Sequence, residues 1–430
     1  MIKTIGHGHR TILAAALATL AGLSAPQLMA STVKVGTCDI PGVTTVYTTI
    51  QSAVTAVSAG STIDVCPGNY PEQVVIEKNL TLTGFSSRGA ANPVVVIPAG
   101  GFVANTTSLT TGYPLAVQIL VEGPIEGVDI SKLAVDGTGS NLNSGCTEPA
   151  LIGIYYRNAS GTVNNVVARN QAQDTANFGC QDSAGLGIFV ESGGSGTSTV
   201  TIENSSVHGY QKNGITADET GTTVTIDGNS VMGTGSINTA QNGIQVGFGA
   251  TGTVENNTVS DDIFNGNPSL GTGSGILIYD SGGMTITGNT VSSTQNGIPI
   301  VTDGSFPANH NMVTHNRVTN TQLNDGIDLC SNNNTAEGNI VDNSGESGIH
   351  LDSTCGATGN NNVVSRNTVH EACAGILLGS GTGNTLTGNT ITDVTYVTLP
   401  GNVCTSPVVS NAQPQSQVGS PGHSFSPARP

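Results

Sequence analysis

Residues 326–369 read GIDLCSNNNTAEGNIVDNSGESGIHLDSTCGATGNNNVVSRNTV and contain one short phrase twice. Each copy opens with Gly-Ile, continues with apolar residues at alternate positions and then enters a polar turn. After the turn comes an Asn that is followed two places on by an aliphatic residue. Apolar residues two positions apart predict a strand with one buried face. The segment therefore predicts short strands joined by turns.

The phrase recurs along most of the chain, at intervals of about 22 to 34 residues, which is typical of solenoids. Gly-Ile begins at Gly153, Gly187, Gly214, Gly243, Gly275, Gly297, Gly326, Gly348 and Gly375. The Asn of the second half of the phrase is Asn229, Asn257, Asn289, Asn316, Asn339, Asn367 or Asn389, and Ser205 takes the same place. The repeat is rich in Gly, Asn and β-branched residues, so a helical solenoid is excluded.

One coil of short strands cannot bury its own isoleucines. Coils stacked about 4.8 Å apart bury them in a continuous column and pair every strand with its neighbours. We therefore expect Ile276, Ile298, Ile327 and Ile349 to lie above one another. An Asn that recurs at one site of each turn is then able to hydrogen-bond its equivalents along the axis.

This repeat resembles the pectin-lyase-like superfamily over roughly residues 45–395. The resemblance implies an all-β, single-domain, right-handed parallel β-helix solenoid with an N-terminal capping helix. That superfamily includes lyases, hydrolases, epimerases, esterases and phage adhesins, so it implies no single activity. The Asn-Thr-Asp and Arg-Ile-Lys triplets of its pectin hydrolases and the Asp-Pro-His of alginate epimerases do not occur in this sequence. No catalytic residue is carried over from a characterised subfamily.

The chain divides into four predicted parts. Residues 1–30 resemble a signal peptide, with a basic start and an apolar stretch too short to span a bilayer. Residues 31–60 hold a strand and a capping helix, in which Ile50, Val54 and Val57 share one face and Thr48 or Thr49 is the N-cap. The β-helix occupies residues 61–400, and a disordered Pro/Ser-rich tail occupies residues 401–430.

The composition favours a secreted, periplasmic or cell-surface protein. Charged residues make up 10% of the chain and the formal net charge is −17. An acidic balance of this size argues against nucleic acid or an anionic membrane as partner, and no segment is long enough for a membrane span. A polysaccharide or cell-surface glycan is the expected partner.

The eight cysteines predict disulfides, since the count is even and the chain looks exported. Residues one coil apart lie within the Cα range that a disulfide needs. Pairing in chain order predicts Cys38–Cys66, Cys146–Cys180, Cys330–Cys355 and Cys373–Cys404. Zinc is not expected because no CxxC or close Cys/His set is present, and no cofactor is required.

The residue between Ile and the next apolar position should face outward. This column contains Tyr155, Phe189, Thr216, Gln245, Leu277, Pro299, Asp328, His350 and Leu377. Asp328 beside His350, with Asp325 and Asp352 close by, is the densest titratable set. His350 flanked by carboxylates can serve as a general base, and these four residues are the candidate catalytic set. Two alternatives remain open, a Ca²⁺ site with oxygen ligands and a solvated polar face without chemistry.

Four further residues are candidates for substrate binding. Tyr155 and Phe189, with Tyr210, can form an aromatic platform for a sugar ring. Arg317 and Arg366 are able to bind a uronate carboxylate or to offset nearby acidic residues. Arg157 and Glu191 are expected to form a surface ion pair.

Two functions remain open from the sequence. The first is an exported protein that binds, and processes as a lyase, hydrolase or epimerase, an extracellular polysaccharide. The second is a non-catalytic, adhesin-like β-helix on the cell surface. A cleft with converging side chains at Asp325, Asp328, His350 and Asp352 favours an enzyme, whereas a flat, exposed arrangement favours a scaffold.

Overall fold

The computed structural model describes residues 29–85, 94–98, 100–140, 142, 149–172, 181, 185–266 and 271–400, with side chains up to residue 395 in the last range. Residues 1–28, which make up most of the predicted signal peptide, and the predicted tail from residue 401 lie outside the described residues. So do Cys146, Cys180 and Cys404.

The described part is almost entirely β-structure, with a single described helix, α1, at Ile50–Ala56. The strands are β1 Thr32–Val35, β2 Val46–Tyr47, β3 Ser61–Val65, β4 Gly68–Pro71, β5 Val74–Ile76, β6 Leu80–Gly84, β7 Val94–Ile97, β8 Thr106–Thr107, β9 Pro114–Ser131, β10 Ala134–Asp136, β11 Ala150–Asn164, β12 Val167–Arg169, β13 Leu186–Glu191, β14 Ser198–Glu203, β15 Ser206–His208, β16 Asn213–Asp218, β17 Thr222–Asp227, β18 Ser230–Ile237, β19 Asn242–Gly247, β20 Thr251–Glu255, β21 Thr258–Phe264, β22 Ser274–Tyr279, β23 Thr285–Thr287, β24 Thr290–Ser292, β25 Ile298–Val301, β26 Met312–Thr314, β27 Arg317–Thr321, β28 Ile327–Cys330, β29 Thr335–Glu337, β30 Ile340–Leu351, β31 Val363–Ser365, β32 Thr368–Leu378, β33 Thr385–Thr387 and β34 Thr390–Pro400.

Each coil contributes one strand to each of three parallel sheets. Sheet 1 holds the Gly-Ile strands, for example β16, β19, β22, β25 and β28. Sheet 2 follows after a turn and includes β17, β20, β23, β26 and β29. Sheet 3 follows the recurring Asn and includes β18, β21, β24 and β27. Long strands such as β11, β30 and β32 bend and run through two sheets.

The isoleucines of sheet 1 form the predicted inward column. Ile298 pairs with Ile327, and Ile327 with Ile349, in direct register. These three and Ile276 are fully buried. One apolar cluster runs from Val33 to Ile376 along the inside of the coils. The fold prediction is therefore confirmed.

The glycine of Gly-Ile is required by a close approach from sheet 3. A Cβ on Gly275 would lie 2.3 Å from Cγ1 of Val291, and one on Gly326 would lie 2.2 Å from Cγ1 of Val341. Each valine belongs to an Asn-x-Val phrase, so the two halves of the repeat are complementary in packing. A side chain at the glycine would push sheets 1 and 3 apart.

The recurring Asn forms a continuous ladder at the turn between sheets 2 and 3. The Oδ1 atom of Asn316 accepts hydrogen bonds from the backbone N–H and Nδ2 of Asn289. Nδ2 of Asn316 donates to Asn339 in the next coil and to the carbonyl of Ile286 in the preceding one. The pattern extends from Asn229 to Asn389.

Ser205 continues the ladder, since its hydroxyl accepts from the backbone N–H of Val166. A second ladder, which the sequence reasoning missed, joins Asn311, Asn334, Asn362 and Asn384 at the turn between sheets 1 and 2.

The helix α1 is shorter than its predicted segment. Thr49 is the N-cap, and its side chain accepts from the backbone N–H of Ser52. The carboxylate of Glu72 also accepts from the N–H groups of Ile50 and Gln51 at 2.8 and 2.9 Å. The buried face joins the interior cluster next to β1.

Two of the four predicted disulfides join described residues. Cys38 is bonded to Cys66 and Cys330 to Cys355, with Cα atoms 5.5 and 5.8 Å apart. The other two predicted pairs include cysteines outside the described residues and stay predictions.

We expect Asn316→Ala to lower the free energy of unfolding by about 2–4 kcal/mol, because buried donors of Asn289 and the Ile286 carbonyl would lose their partners. Chemical denaturation measures the loss. Asn265→Ala is the control, since that side chain forms an exposed hydrogen bond to Ser236. Equal unfolding free energies for the two variants would show that the ladder carries no special stability.

Candidate active site

The outward column of sheet 1 is in register as predicted, but it is not exposed. Asp328 pairs with Pro299 on one side and with His350 on the other, and His350 pairs with Leu377. All nine members of the column are buried. The expectation of a solvated polar face is therefore wrong. These side chains do not join the interior core and have little contact with solvent, so their polar atoms need partners.

Asp325 and His350 form a buried hydrogen-bonded pair across adjacent coils. Nδ1 of His350 lies 3.1 Å from Oδ2 of Asp325. The backbone N–H and the hydroxyl of Ser347 donate to Oδ1 of the same carboxylate. These contacts fix the position of the Asp325 carboxylate, which in turn orients the imidazole ring.

Asp328 has no such partners. The residue is 0% exposed, and neither carboxylate oxygen has a hydrogen-bond partner among the described residues. Burial raises the pKa of Asp328 well above its usual value; the charges of Asp352 and Asp325 raise it further, and His350 partly opposes this. The protonated form of Asp328 is therefore favoured more than that of an exposed aspartic acid.

The pKa of His350 is raised, although burial alone would lower it. Desolvation lowers its pKa, but the carboxylates of Asp325, Asp328 and Asp352 outweigh it and raise the pKa to about 10. At neutral pH the site then holds an imidazolium beside the carboxyl groups of Asp325 and Asp328. Neighbouring carboxyl groups in unlike environments, one hydrogen-bonded and one without hydrogen-bond partners, are typical of acid–base sites.

Asp352 has a structural role. Its Oδ1 accepts from the backbone N–H groups of Ser353 and Thr354, and its Oδ2 accepts from the Thr354 hydroxyl. These bonds hold the start of the loop that leads to the Cys330–Cys355 disulfide. Asp352 therefore caps its own loop and acts on the site through its charge, and its place in the catalytic set stays a prediction.

The site fits a calcium ion poorly. Asp325, Asp328 and His350 each offer one ligand atom, and these atoms lie within 4.8 Å of one another. Calcium takes 6–8 oxygen ligands, whereas this set has one nitrogen and an Asp325 carboxylate that already accepts three hydrogen bonds. The donor set is better suited to holding protons.

The predicted aromatic platform is stacked but covered. The rings of Tyr155 and Phe189 lie 4.7 Å apart at an interplanar angle of 16°. Both are buried in a separate cluster on the outer face of sheet 1, with Tyr113 packed against it. Neither ring is exposed in this structure, and the role of the two residues in substrate binding stays a prediction. Tyr210 is also buried, in the interior core.

Glu191 holds in place the segment that covers the Tyr155–Phe189 stack. Its carboxylate accepts hydrogen bonds from the hydroxyls of Tyr155 and Ser108 and from the backbone N–H groups of Leu109 and Thr110. The segment before β9 is thereby fixed across the outer face of sheet 1. The predicted Arg157–Glu191 ion pair is wrong.

The three arginines named by the sequence pair with other carboxylates. Arg157 lies 3.6 Å from Glu122. Exposed Arg317 lies 3.8 Å from Asp342, in sheet 3. Exposed Arg366 pairs with Glu337, in sheet 2. Arg317 and Arg366 therefore stand away from the sheet 1 site, and the structure does not bring them together with Tyr155 and Phe189.

Sequence reasoning missed a polar network beside the site. Nδ2 of Asn213 donates to Thr216 and Gln245, Nδ2 of Asn242 donates to Asn213, and Nε2 of Gln245 donates to Asp218. All five side chains are buried. A signal existed in the sequence, because the position before Gly-Ile is polar in six consecutive coils: Asn213, Asn242, Ser274, Asn296, Asp325 and Ser347.

Two of the other carboxylate sets among the described residues lie in sheet 3. His370, on the exposed side of sheet 3, bridges Asp342 and Asp393 at 3.0 and 2.9 Å. The Asp261–Asp262 sequence pair lies in β21, where Asp262 accepts a 2.6 Å hydrogen bond from Tyr210. Neither set reaches the outer face of sheet 1.

Coils in register, three parallel sheets and a continuous interior column define a right-handed parallel β-helix fold. A family model described as the right-handed β-helix region matches residues 236–391. No curated protein matches the sequence. Among the described residues, no helix is long and apolar enough to cross a membrane.

Solved structures share this fold at low sequence identity. The GH136 lacto-N-biosidase of Eubacterium ramulus has a TM-score of 0.58 and 11% identity, covering 84% of this chain and 68% of that one. The mannuronan C-5 epimerase AlgE4 A-module of Azotobacter vinelandii has a TM-score of 0.51 and 14% identity, covering 80% and 94%. The Dettilon tailspike protein has a TM-score of 0.52 and 14% identity, covering 80% and 64%.

We expect the His350 imidazole to stay protonated up to about pH 10, because carboxylates flank it. Its folded pKa lies above the usual 6.5, so its contribution to stability is present below about pH 6.5 and is lost as the pH rises toward 10. NMR titration of the ring protons measures the pKa. A midpoint for His350 below that of exposed His370 would contradict the expectation.

We expect Asp328→Asn to stabilise the fold more at pH 7 than at pH 4. Because the pKa of Asp328 is raised in the folded state, the free energy of unfolding of the wild-type protein falls as the pH rises above about 3.8. Asn does not titrate, so the variant does not lose this stability. Urea unfolding at both pH values measures the difference, with Asp39→Asn as an exposed control. If Asp328→Asn destabilised the protein equally at both pH values, Asp328 would be a hydrogen-bonded structural residue, and the expectation would be contradicted.

Proposed function

We propose that the protein is exported and that it binds and hydrolyses an extracellular polysaccharide on the outer face of sheet 1. The observation that carries the proposal is the unpartnered, buried carboxyl of Asp328 beside the Asp325–His350 pair. An unpaired buried acid costs stability and is retained where it has a chemical task.

The unlike environments of the two carboxyl groups support a division of roles. Asp328, with its raised pKa, would donate a proton to the leaving glycosidic oxygen as general acid. Asp325, hydrogen-bonded to Ser347 and His350, would stabilise positive charge that develops on the sugar ring as the C–O bond breaks. Water would then add to the anomeric carbon and give its proton to the Asp328 carboxylate, which restores the acid. His350 positions Asp325 and balances its charge. The ligand atoms of the two carboxylates lie within 4.8 Å, nearer to the spacing of about 5–5.5 Å of retaining glycosidases than to that of inverting ones.

The charge around the site supports a neutral glycan. Three carboxyl groups surround one imidazolium, and the whole chain carries a formal net charge of −17. Lyase and epimerase reactions on uronates need a cation to neutralise the substrate carboxylate. Arg317 and Arg366, the candidates for that task, pair with Asp342 and Glu337 away from sheet 1. Hydrolysis is therefore favoured over elimination or epimerisation.

Two further observations agree with this proposal. Structures with this fold include a lacto-N-biosidase and a mannuronan epimerase, which supports saccharide processing by analogy. The Cys38–Cys66 and Cys330–Cys355 disulfides are typical of an oxidising compartment. The converging, buried arrangement of the site argues against the adhesin-like alternative.

Incubation of the protein with neutral and uronate-containing polysaccharides tests the activity. We expect reducing ends from a neutral polysaccharide and no unsaturated product absorbing at 235 nm. Asp328→Asn and Asp325→Asn should lower kcat by about 10²–10⁴-fold, since each removes an acid–base or charge-stabilising group.

His370→Gln is the matched control, because His370 also lies about 3 Å from a carboxylate but on exposed sheet 3. It should retain wild-type kcat. Full activity in Asp328→Asn, or unsaturated products in place of reducing ends, would overturn the proposed reaction.

A further inference from the structure

Ser274 and Asn296 stand in the middle of the polar column that precedes Gly-Ile. They pair with each other as an isolated parallel bridge. The backbone N–H of Gly297 bonds to the carbonyl of Asp325, which places Asp325 one coil further along the same column. The column therefore leads directly from these two residues to the Asp325–His350 pair.

Both side chains are buried and without hydrogen bonds. Ser274 and Asn296 are each 0% exposed. The hydroxyl of Ser274 and both the Oδ1 and Nδ2 atoms of Asn296 have no partner among the described residues. A buried polar group left unsatisfied is costly and uncommon in folded proteins. Three such atoms in adjacent coils indicate that a ligand or bound water satisfies them.

The same column forms side-chain hydrogen bonds on both sides of these two coils. Toward the N-terminus, Asn213 and Asn242 bond to each other and to neighbouring side chains. Toward the C-terminus, Asp325 and Ser347 bond to each other. Ser274 and Asn296 are thus the two members of this column whose side chains form no hydrogen bond to a described residue, which argues for a local function.

The neighbouring outward column is apolar in these same coils. Leu277 lies three residues after Ser274, and Pro299 lies three residues after Asn296. Both are buried on the outer face of sheet 1, and Pro299 is in register with Asp328. An apolar strip beside a row of hydroxyl and amide groups matches a pyranose or furanose ring, which has C–H faces and a hydroxyl edge.

We propose that Ser274, Asn296, Leu277 and Pro299 form a subsite for a neutral sugar unit next to Asp328. The amide and hydroxyl of Asn296 and Ser274 recognise ring hydroxyls, and Leu277 and Pro299 contact the C–H face. No charged residue belongs to the set, so it selects a neutral sugar. Because all four residues are buried, binding requires that the outer face of sheet 1 becomes uncovered. The subsite rests on the proposed function, since it positions the chain whose bond Asp328 would protonate.

Binding and turnover are measured with the full-length protein and a panel of neutral cello-, xylo-, manno-, galacto- and inulo-oligosaccharides. We expect at least one to bind by isothermal titration calorimetry. Asn296→Ala should weaken that binding about tenfold or more, the effect of losing hydrogen bonds to sugar hydroxyls. It should not lower the melting temperature, because the side chain has no protein partner to lose. Asn265→Ala is the surface control, and Asp328→Asn should bind as the wild type does without turnover.

The outcomes separate this subsite from the proposed reaction. Binding that depends on Asn296 but comes without turnover supports the subsite and overturns the reaction. Turnover with a wild-type KM in Asn296→Ala supports the reaction and overturns the subsite. No binding by any neutral oligosaccharide, or a large fall in the melting temperature of Asn296→Ala with unchanged affinity, also overturns the subsite.

Discussion

The hydrogen-bonded register between successive coils is the constraint on which the rest of the structure depends. Asn316 shows how it is maintained, since one side chain accepts from Asn289 and donates both to Asn339 and to the Ile286 carbonyl. A shift of one residue would break these bonds and turn the isoleucines of sheet 1 outward. The contact between each Gly of sheet 1 and a Val of sheet 3 also maintains the register, because only one register lets Val341 fit against Gly326.

A fixed register also determines which outward side chains meet. Asp325 and His350 are 25 residues apart in sequence, yet the pairing of Ile327 with Ile349 brings them into hydrogen-bond contact. The same pairing holds Asp328 close to other carboxyl groups, whose negative charges are unfavourable for it. In a flexible scaffold, Asp328 would move away from them. Strands bonded on both edges hold this arrangement, and the stability of the ladders offsets its cost.

The outer face of sheet 1 thus combines three kinds of surface along one axis. An aromatic and aliphatic cluster around Tyr155 is covered by the segment that Glu191 anchors. A hydrogen-bonded polar network around Gln245 follows. Beyond it lie the unsatisfied pair Ser274 and Asn296 and then the titratable group at Asp328. A polymer lying along this axis would meet recognition groups before the acid–base groups.

The amino-acid sequence alone determined the solenoid, the inward Ile column, the Asn ladder and the pairing of Cys330 with Cys355. Each of these follows from a residue type that recurs once per coil, and local alternation is enough to specify which side of a strand is buried. It also placed Asp328 beside His350, because that contact depends only on register. Only the tertiary structure decided that the outward column is covered, that Glu191 bonds to the segment before β9 and not to Arg157, and that Asp352 caps its own loop. Those features depend on how turns of unequal length pack over sheet 1, and non-repeating turns carry no periodic signal from which such contacts can be predicted.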